Sequence, residues 1–369
     1  MRCFLGRPSE EEIGLDGAGV FWAPWWALPW DDYHMLPLRA TQDAADVGDL
    51  LPHAPPVAHA FVAWRDYATV LLMQRAASRR LVWLHDTYQP DMAGSAAMED
   101  ATDAYLVLSE EHSRQLPARI RHKAVVTRNG VPATFFEARR ALAAAERNRA
   151  HRFVYASMPS RGLTHVLQAW PTIHACMSQA GLNASLHVYY GFTQHDEQRA
   201  ANDREYRAWM ESMRAALGRA TALGVHYMGM RSHSHLAQAM AESGFYLYPT
   251  AYPETSCIAL MQAQAAGAIP ITSRYQWSAL PETAGLFDLG PSPIPLDPAT
   301  SQGIVNHEWL VKWANRVCYV AGAFGGDAAD AVVHRVRRDR GAPETPKVTL
   351  AQHREEMVEW ARRNLDWYV

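Results

Sequence analysis

Cysteine is scarce in this chain and is not arranged for chemistry. The four residues, Cys3, Cys176, Cys257 and Cys318, are scattered, and none forms a C-x-x-C. That spacing argues against a zinc knuckle or a disulfide framework. Reduced thiols in a cytosolic protein are the simplest expectation. Long apolar runs are missing as well. No stretch is long enough to span a bilayer, and Met1–Glu12 does not read as a signal peptide. A cytoplasmic protein without a transmembrane segment is therefore expected. Charge of one sign is also lacking: a formal net charge of -3 gives no global electrostatic reason to bind nucleic acid. No internal repeat is visible beyond two sheet-and-helix halves.

What is present is a chain of 369 residues, 49% of them hydrophobic. That length accommodates two α/β domains of ordinary globular composition. The stretch Val20–Trp30 is dense in tryptophan and proline, with Trp22, Trp25, Trp26 and Trp30. Proline forbids a continuous helix there, and a loop packed against a core is the plain reading. From Ala58 onward strands alternate with helices, which implies a parallel sheet. Strands are expected at 58–63, 81–84, 104–108 and 123–127, and helices at 66–77 and 110–116. Asn129-Gly130 is a turn signal. Residues 136–152, rich in alanine and charge, read as a helical or loose connector between the domains. A second series follows, with strands at 153–156, 185–191, 224–228 and 245–248, and helices at 163–175, 196–217 and 232–242. Helices are also expected at 309–323 and 350–368. The basic run Val332–Arg340 reads as a solvated face; nucleic-acid binding through it is poorly supported by the acidic balance.

The most informative stretch is Phe245–Ser273. An apolar, aromatic strand (Phe245–Tyr248) runs into a short loop with one carboxylate, Glu254. A helix is expected from about Thr255, where Thr or Ser caps free backbone N–H groups. Gly267 stops it, and Ile269-Pro270-Ile271 opens the next strand. The result is a βαβ unit with a helix N-terminus at the carboxyl end of a strand. That is where open α/β sheets bind anionic ligands.

This stretch resembles the signature of retaining glycosyltransferases of the GT-B fold, family 4 type. Their pattern is Glu, seven residues, a second Glu, then A-x-A-x-G-x-P-V. Glu254 stands at the first position, A-Q-A-A-G-A-I-P-I matches the tail, and Gln262 replaces the second Glu. Four further segments are similar to the family: W-L-H-D, D-A-Y-L-V-L-S-E-E-H, V-V-T-R-N-G-V-P and V-Y-A-S-M-P-S-R-G-L. The last matches the phosphate loop that opens the second domain, and W-A-R-R-N-L-D-W-Y resembles the terminal helix. The glycine-rich first loop of the family is not evident, so the amino-terminal domain is short or atypical. The resemblance implies an α/β fold of two Rossmann-like domains facing a cleft: 1–135 on the acceptor side, 136–152 as connector, 153–348 for the nucleotide sugar, and 349–369 as a helix crossing back.

The resemblance also implies site residues. Glu254, His85 and Arg161 would be catalytic. Ser157, Gly162, Gly229, Met230, Arg231, Ser256, Cys257, Ile258 and Gln262 would hold the donor. Asp86, Trp25 and Trp26 would face the acceptor. Arg161 can pair bidentately with phosphate oxygens. The family usually has Lys there and an Arg five residues earlier; here Ala156 takes that earlier place. Gln262 keeps hydrogen-bonding capacity toward a ribose but has lost the charge. Each residue has a plainer reading. Arg161 is a surface Arg in a turn, Glu254 a solvated loop acid, and His85 a structural histidine among 17. Asp86 is a cap, Arg231 a surface residue, and Cys257 a packing residue without an adjacent base. Trp25 and Trp26 would stack on a sugar or touch a membrane interface.

The function implied is a hexosyl- or pentosyltransferase passing sugar to a hydroxyl acceptor, a glycan, lipid or protein. No metal is obligatory. No cofactor is needed beyond the UDP- or GDP-linked sugar as co-substrate. No nucleic-acid partner is expected. A catalytically degenerate nucleotide- or glycan-binding protein and a nucleotide-sugar epimerase are the alternatives on the same fold.

Overall fold

The computed structural model describes residues 14–15, 21–22, 60–64, 70, 78–87, 96–143, 147–275, 277–291, 293–299, 302–322, 332–333 and 348–366. Trp25 and Trp26, most of the expected helix at 66–77, and the basic run beyond Val333 lie outside these residues. The chain divides into two compact units, 1–127 and 128–369.

In the first unit β1 (Gly14–Leu15) pairs antiparallel with β2 (Phe21–Trp22). A four-stranded parallel sheet follows in sequence order: β3 (Phe61–Trp64), β4 (Arg80–Trp83), β5 (Ala104–Val107) and β6 (Ala124–Val126). Helices α1 (Ala96–Ala101), α2 (Glu110–Gln115) and α3 (Ala118–Arg121) connect the last three strands. The expected strands are all present, each within a few residues of its predicted bounds. Val82, Leu84, Tyr105, Val107, Leu116 and Ile120 form the core of the unit. Local polar chemistry sets the helix ends. Ser109 Oγ accepts the His112 N–H at 2.9 Å and starts α2. Lys123 Nζ donates to the carbonyls of Glu99 and Thr102 at 2.7 and 2.8 Å, placing a cation at the end of α1.

The second unit begins with α4 (Ala133–Ala141), then β7 (Arg149–Ser157), α5 (Leu163–Gln179), β8 (Ser185–Tyr190), α6 (Gln194–Asn202), α7 (Arg204–Ala220), β9 (Val225–Gly229), α8 (His233–Glu242), β10 (Ser243–Tyr248), α9 (Ile258–Ala266) and β11 (Ile269–Thr272). Short α10 (Leu280–Ala284), long α11 (His307–Gly322), the antiparallel pair β12 (Val332–Val333) and β13 (Val348–Thr349), and α12 (Leu350–Leu365) complete it. The sheet order is β11-β10-β7-β8-β9, every pair parallel. The first strand thus lies in the middle. The chain winds to one side through β8 and β9, then returns to the other through β10 and β11. The winding reverses between β7 and β10, so the carboxyl ends of those two strands border the crevice where such sheets bind ligands.

The central strands are apolar because both faces are covered. Phe153 stacks on Phe245 with centroids 5.7 Å apart and meets Trp170 edge-on at 5.6 Å. Asn148 ties three elements together. Its side-chain N–H groups reach the carbonyls of Ser243 and Ala266 at 3.0 and 3.2 Å. Buried Arg354 on α12 donates to Gly267 O at 2.9 Å, and burial pushes its pKa down to about 9. Both side chains hold the end of α9, whose stop at left-handed Gly267 matches the sequence reading.

Three expectations are corrected. The helix expected over 196–217 is two helices: Asp203 Oδ1 accepts the Tyr206 N–H at 3.0 Å and starts α7 afresh. The helix expected from Thr255 starts at Ile258, because the Glu254 carbonyl accepts the N–H of Ala279 at 2.7 Å instead of serving a helical turn. Reduced thiols throughout are overturned as well. Cys176 on α5 and Cys318 on α11 form a disulfide, with Cα atoms 6.1 Å apart. A bridge across 142 positions leaves no mark in local spacing. Cross-linking so long a loop constrains the unfolded chain, and a native bridge contributes about 2–4 kcal/mol. Reductant, or Cys176→Ser, should lower the urea midpoint accordingly. An unchanged midpoint would mean that the helices hold without it.

Candidate functional site

The site is built where the winding reverses. Strand β7 ends at Ser157, and the next residues fold into a tight turn. The Tyr155 hydroxyl donates to Met158 O at 2.7 Å, and the Arg161 N–H donates to the same carbonyl at 2.9 Å. Gly162 closes the turn at φ +120°, a conformation that side chains rarely adopt. It also lies against the neighbouring strand end: a Cβ there would sit 2.7 Å from Pro249 O. The turn after β7 and the loop after β10 are therefore backbone to backbone.

Arg161 and Glu254 meet across this contact. The guanidinium is 3.5 Å from Glu254 Oε1 and lies over the Tyr252 ring at 4.0 Å. The same carboxylate oxygen accepts the Tyr248 hydroxyl at 2.5 Å, and the Tyr248 and Ser157 hydroxyls are 3.3 Å apart. Burial raises the pKa of Glu254 above the usual value, against the pull of the Tyr248 hydrogen bond and of Arg161. For Arg161 burial works against the charge, but Glu254, Tyr252 and Tyr248 outweigh it, and its pKa is raised. The cation is held charged, partly exposed, beside a nearly buried acid.

The loop from Pro249 to Cys257 is pinned at several points. Ser273 Oγ accepts the Thr250 N–H at 3.0 Å and donates back to the Thr250 carbonyl. The Tyr275 hydroxyl donates to Ala251 O at 2.6 Å. Beyond the loop, α9 opens at Ile258 with Cys257 as its N-cap. The Ser256 hydroxyl is buried and has no hydrogen-bond partner among the described residues. Burial and the Glu254 charge hold the Cys257 thiol well above its ordinary pKa, as befits a packing residue. Gln262 is buried on α9, on the turn after Ile258.

The other candidates belong to other elements. Gly229 ends β9 and Met230 and Arg231 follow it, two strands from β7 or roughly 10 Å across the sheet. Met230 and Arg231 are exposed. His85 and Asp86 follow β4 in the first unit, and the His85 ring lies 5.0 Å from that of Trp83. A histidine not singled out in the sequence organises that strand end. Buried His112 accepts the Leu108 N–H at Nδ1 (3.3 Å), so its Nε2–H donates to Asp86 O at 3.0 Å. Burial holds its pKa at about 4, so it is neutral. Tyr248 and Tyr252 were missed for a different reason. Aromatic residues at a strand end look like core until the following loop folds back on them.

No protein-family model and no curated protein matches the chain. Solved structures do. It is similar to an α,α-trehalose-phosphate synthase (UDP-forming) from Burkholderia vietnamiensis, with TM-score 0.53 and 12% identity over 90% of this chain and 80% of that one. It is similar to sucrose-phosphate synthase from Thermosynechococcus elongatus, with TM-score 0.50 and 16% identity over 94% and 77%. The pneumococcal O-GlcNAc transferase GtfA, solved with UDP and GlcNAc, gives TM-score 0.48 and 11% identity over 87% and 59%. The chain spans between half and three fifths of the length of the GtfA and TarM structures that it matches. The fold is α/β with two parallel sheets, and its structural neighbours are GT-B glycosyltransferases.

Proposed function

We propose that this protein is a retaining, metal-independent glycosyltransferase that moves a hexosyl or pentosyl group from a UDP- or GDP-linked sugar to a hydroxyl acceptor, a glycan first among the candidates. The observation that carries the reading is the Arg161–Glu254 pair at the winding reversal, beside the N-terminus of α9. A diphosphate needs cations and N–H groups. Arg161 supplies the cation, and the N–H groups at Ser256, Cys257 and Ile258, with the unpartnered Ser256 hydroxyl, supply donors. Glu254 would take hydroxyls of the donor sugar. In the reaction the bond from the sugar's anomeric carbon to the diphosphate breaks. The electron pair leaves with the phosphate, the acceptor oxygen takes the carbon, and its proton passes to the departing phosphate. Stabilising that departing charge is the site's main contribution to the rate. His85 and Asp86 are assigned to the acceptor side, and the donors are those of the cytosol.

A second reading, a nucleotide-binding protein without turnover, draws on two features. Gln262 stands neutral and buried where an acid is expected, and Ala156 occupies the place of a second cation. Nucleoside diphosphate release from a panel of nucleotide sugars, with and without oligosaccharide acceptors, separates the two. Release that rises with acceptor is expected. Tight nucleotide binding with no release from any donor would establish the second reading instead.

A further inference from the structure

We propose that Tyr248 is a positioning residue for Glu254: its hydroxyl holds the carboxylate in place at the donor site once a bound diphosphate has drawn Arg161 away. The inference rests on the donor site assigned above. Among the described residues two side chains pair with the Glu254 carboxylate, both at Oε1: the Tyr248 hydroxyl at 2.5 Å and the Arg161 guanidinium at 3.5 Å. Oε2 accepts no hydrogen bond from a described residue and is the oxygen left for a sugar hydroxyl. The two partners are not equivalent. Arg161 is partly exposed and is the cation that a diphosphate engages. Tyr248 is fully buried on β10, its ring against those of Tyr155 and Tyr246, with centroids 6.0 and 5.7 Å away. It cannot follow a ligand. Burial holds its phenol well above the ordinary pKa, so it stays a donor.

The tyrosine proton has one destination. An ionised carboxylate only accepts, so Tyr248 donates to Glu254, and in its 3.3 Å contact with Ser157 the serine is the donor. The chain runs from Ser157 through Tyr248 to Glu254, and each link strengthens the next. The other titratable groups around the carboxylate are Tyr155 on β7, Tyr246 on β10, Tyr252 and Cys257 on the loop, and Tyr275 after β11. Burial holds the phenols of Tyr155, Tyr246 and Tyr275 and the Cys257 thiol above their ordinary values, so these are neutral at pH 7. Arg161 is the charge that faces Glu254 among the described residues. Once a diphosphate neutralises it, the Tyr248 bond is what keeps a nearly buried carboxylate ionised. Without that hydroxyl the group takes up its proton at a higher pH and loses its fixed direction.

Tyr248→Phe keeps the buried ring and removes only the hydroxyl. Tyr246→Phe is the control, since that hydroxyl is also buried but makes no bond to the carboxylate. Three measurements on the full chain test the assignment: UDP binding by calorimetry, the pH profile of nucleoside diphosphate release, and an infrared titration of Glu254 with pyrophosphate bound. The Glu254 carboxyl band is identified by its loss in Glu254→Gln. A hydrogen bond to the ionised form lowers a carboxyl's pKa, so removing it raises the pKa. Tyr248→Phe should therefore move the infrared midpoint and the acid limb of turnover to higher pH. At pH 7 kcat should fall about tenfold, the worth of one hydrogen bond to a charged group, with KM for the donor little changed. UDP affinity should hold, because Arg161 is intact. Tyr246→Phe should move none of these. Ser157→Ala removes the next link and should move the midpoint the same way by less, which keeps the readout should Tyr248→Phe unfold. An unmoved infrared midpoint in the variants of this chain would overturn the assignment. Equal shifts in Tyr248→Phe and Tyr246→Phe would also overturn it, because packing alone gives that result. A midpoint shift in a protein that releases no nucleoside diphosphate would uphold the positioning role and end the transferase reading. Binding of neither UDP nor pyrophosphate by the wild type would remove the donor site, and the assignment with it.

Discussion

Replacing Glu254 with Gln is expected to lower sugar transfer roughly 100-fold or more, as loss of a preorganised polar contact to the reacting group does, while making the protein more stable at pH 7. The two effects share one cause. Glu254 is buried, and burial raises its pKa above the usual value, more than its hydrogen bond from Tyr248 and the nearby Arg161 lower it. The folded state therefore binds this proton more tightly than the unfolded chain does. The stability linked to the protonated carboxyl is fully present below the unfolded pKa and is lost as pH rises through the raised folded value. At pH 7, above the ordinary glutamate range, burying this group is a net cost relative to the unfolded chain, and glutamine removes it at nearly equal volume. The advantage of Glu254→Gln should fade as the pH falls toward the ordinary glutamate range. Loss of its partner does not strand Arg161, whose side chain is 31% exposed and rests on the Tyr252 ring. In the wild type, turnover should decline on the acid side at a higher pH than an ordinary glutamate would give. Urea melts of both proteins across this range, with a pH profile of turnover, provide the check. A variant that is less stable by the same amount at every pH would make the carboxylate a structural partner of Arg161 and no more.

The cluster around Arg161 and Glu254 was legible because its local structure is written in short stretches of sequence. An apolar strand, a Ser-Arg-Gly turn and a helix stop at Gly267 each announce themselves within a few residues. The parallel strands of both units were legible for the same reason: apolar runs are bounded by Gly, Asn, Asp or Ser. The failures came where a distant group decides. The start of α9 was misplaced because an amide 25 positions on, at Ala279, takes the Glu254 carbonyl. The Cys176–Cys318 bridge depends on α5 and α11 packing side by side, which spacing does not encode. Tyr248 is a strand residue by pattern and a partner of Glu254 only once the Pro249–Cys257 loop closes over it. The break at Asp203 was available in the sequence, since Asp is a favoured N-cap, but the polar periodicity on both sides concealed it.

Gly162→Ala is expected to cost the fold heavily for one added carbon. Two penalties act together. The residue sits at φ +120°, ψ 1°, where an L side chain is strained, and forcing one there costs about 1–3 kcal/mol. The new Cβ would also lie 2.7 Å from Pro249 O. That neighbour is backbone, so it cannot swing aside as a side-chain tip would. Relief requires the turn carrying Arg161 to separate from the loop carrying Glu254, which breaks the contact on which the proposed donor site rests. A combined loss of about 3–5 kcal/mol, the upper range for single substitutions, is a large part of the roughly 5–15 kcal/mol that holds a domain folded. Gly181→Ala is the matched control: its φ is +74°, yet nothing lies within 4 Å of the new carbon. It carries conformational strain without the collision and should cost about 1 kcal/mol. Denaturant melts of the two variants, with UDP binding for each, isolate the collision. Gly162→Ala should lose both stability and nucleotide, and Gly181→Ala only a little stability. Equal costs in the two proteins, with UDP still bound by both, would show that the backbone contact between Gly162 and Pro249 neither limits the fold nor shapes the site.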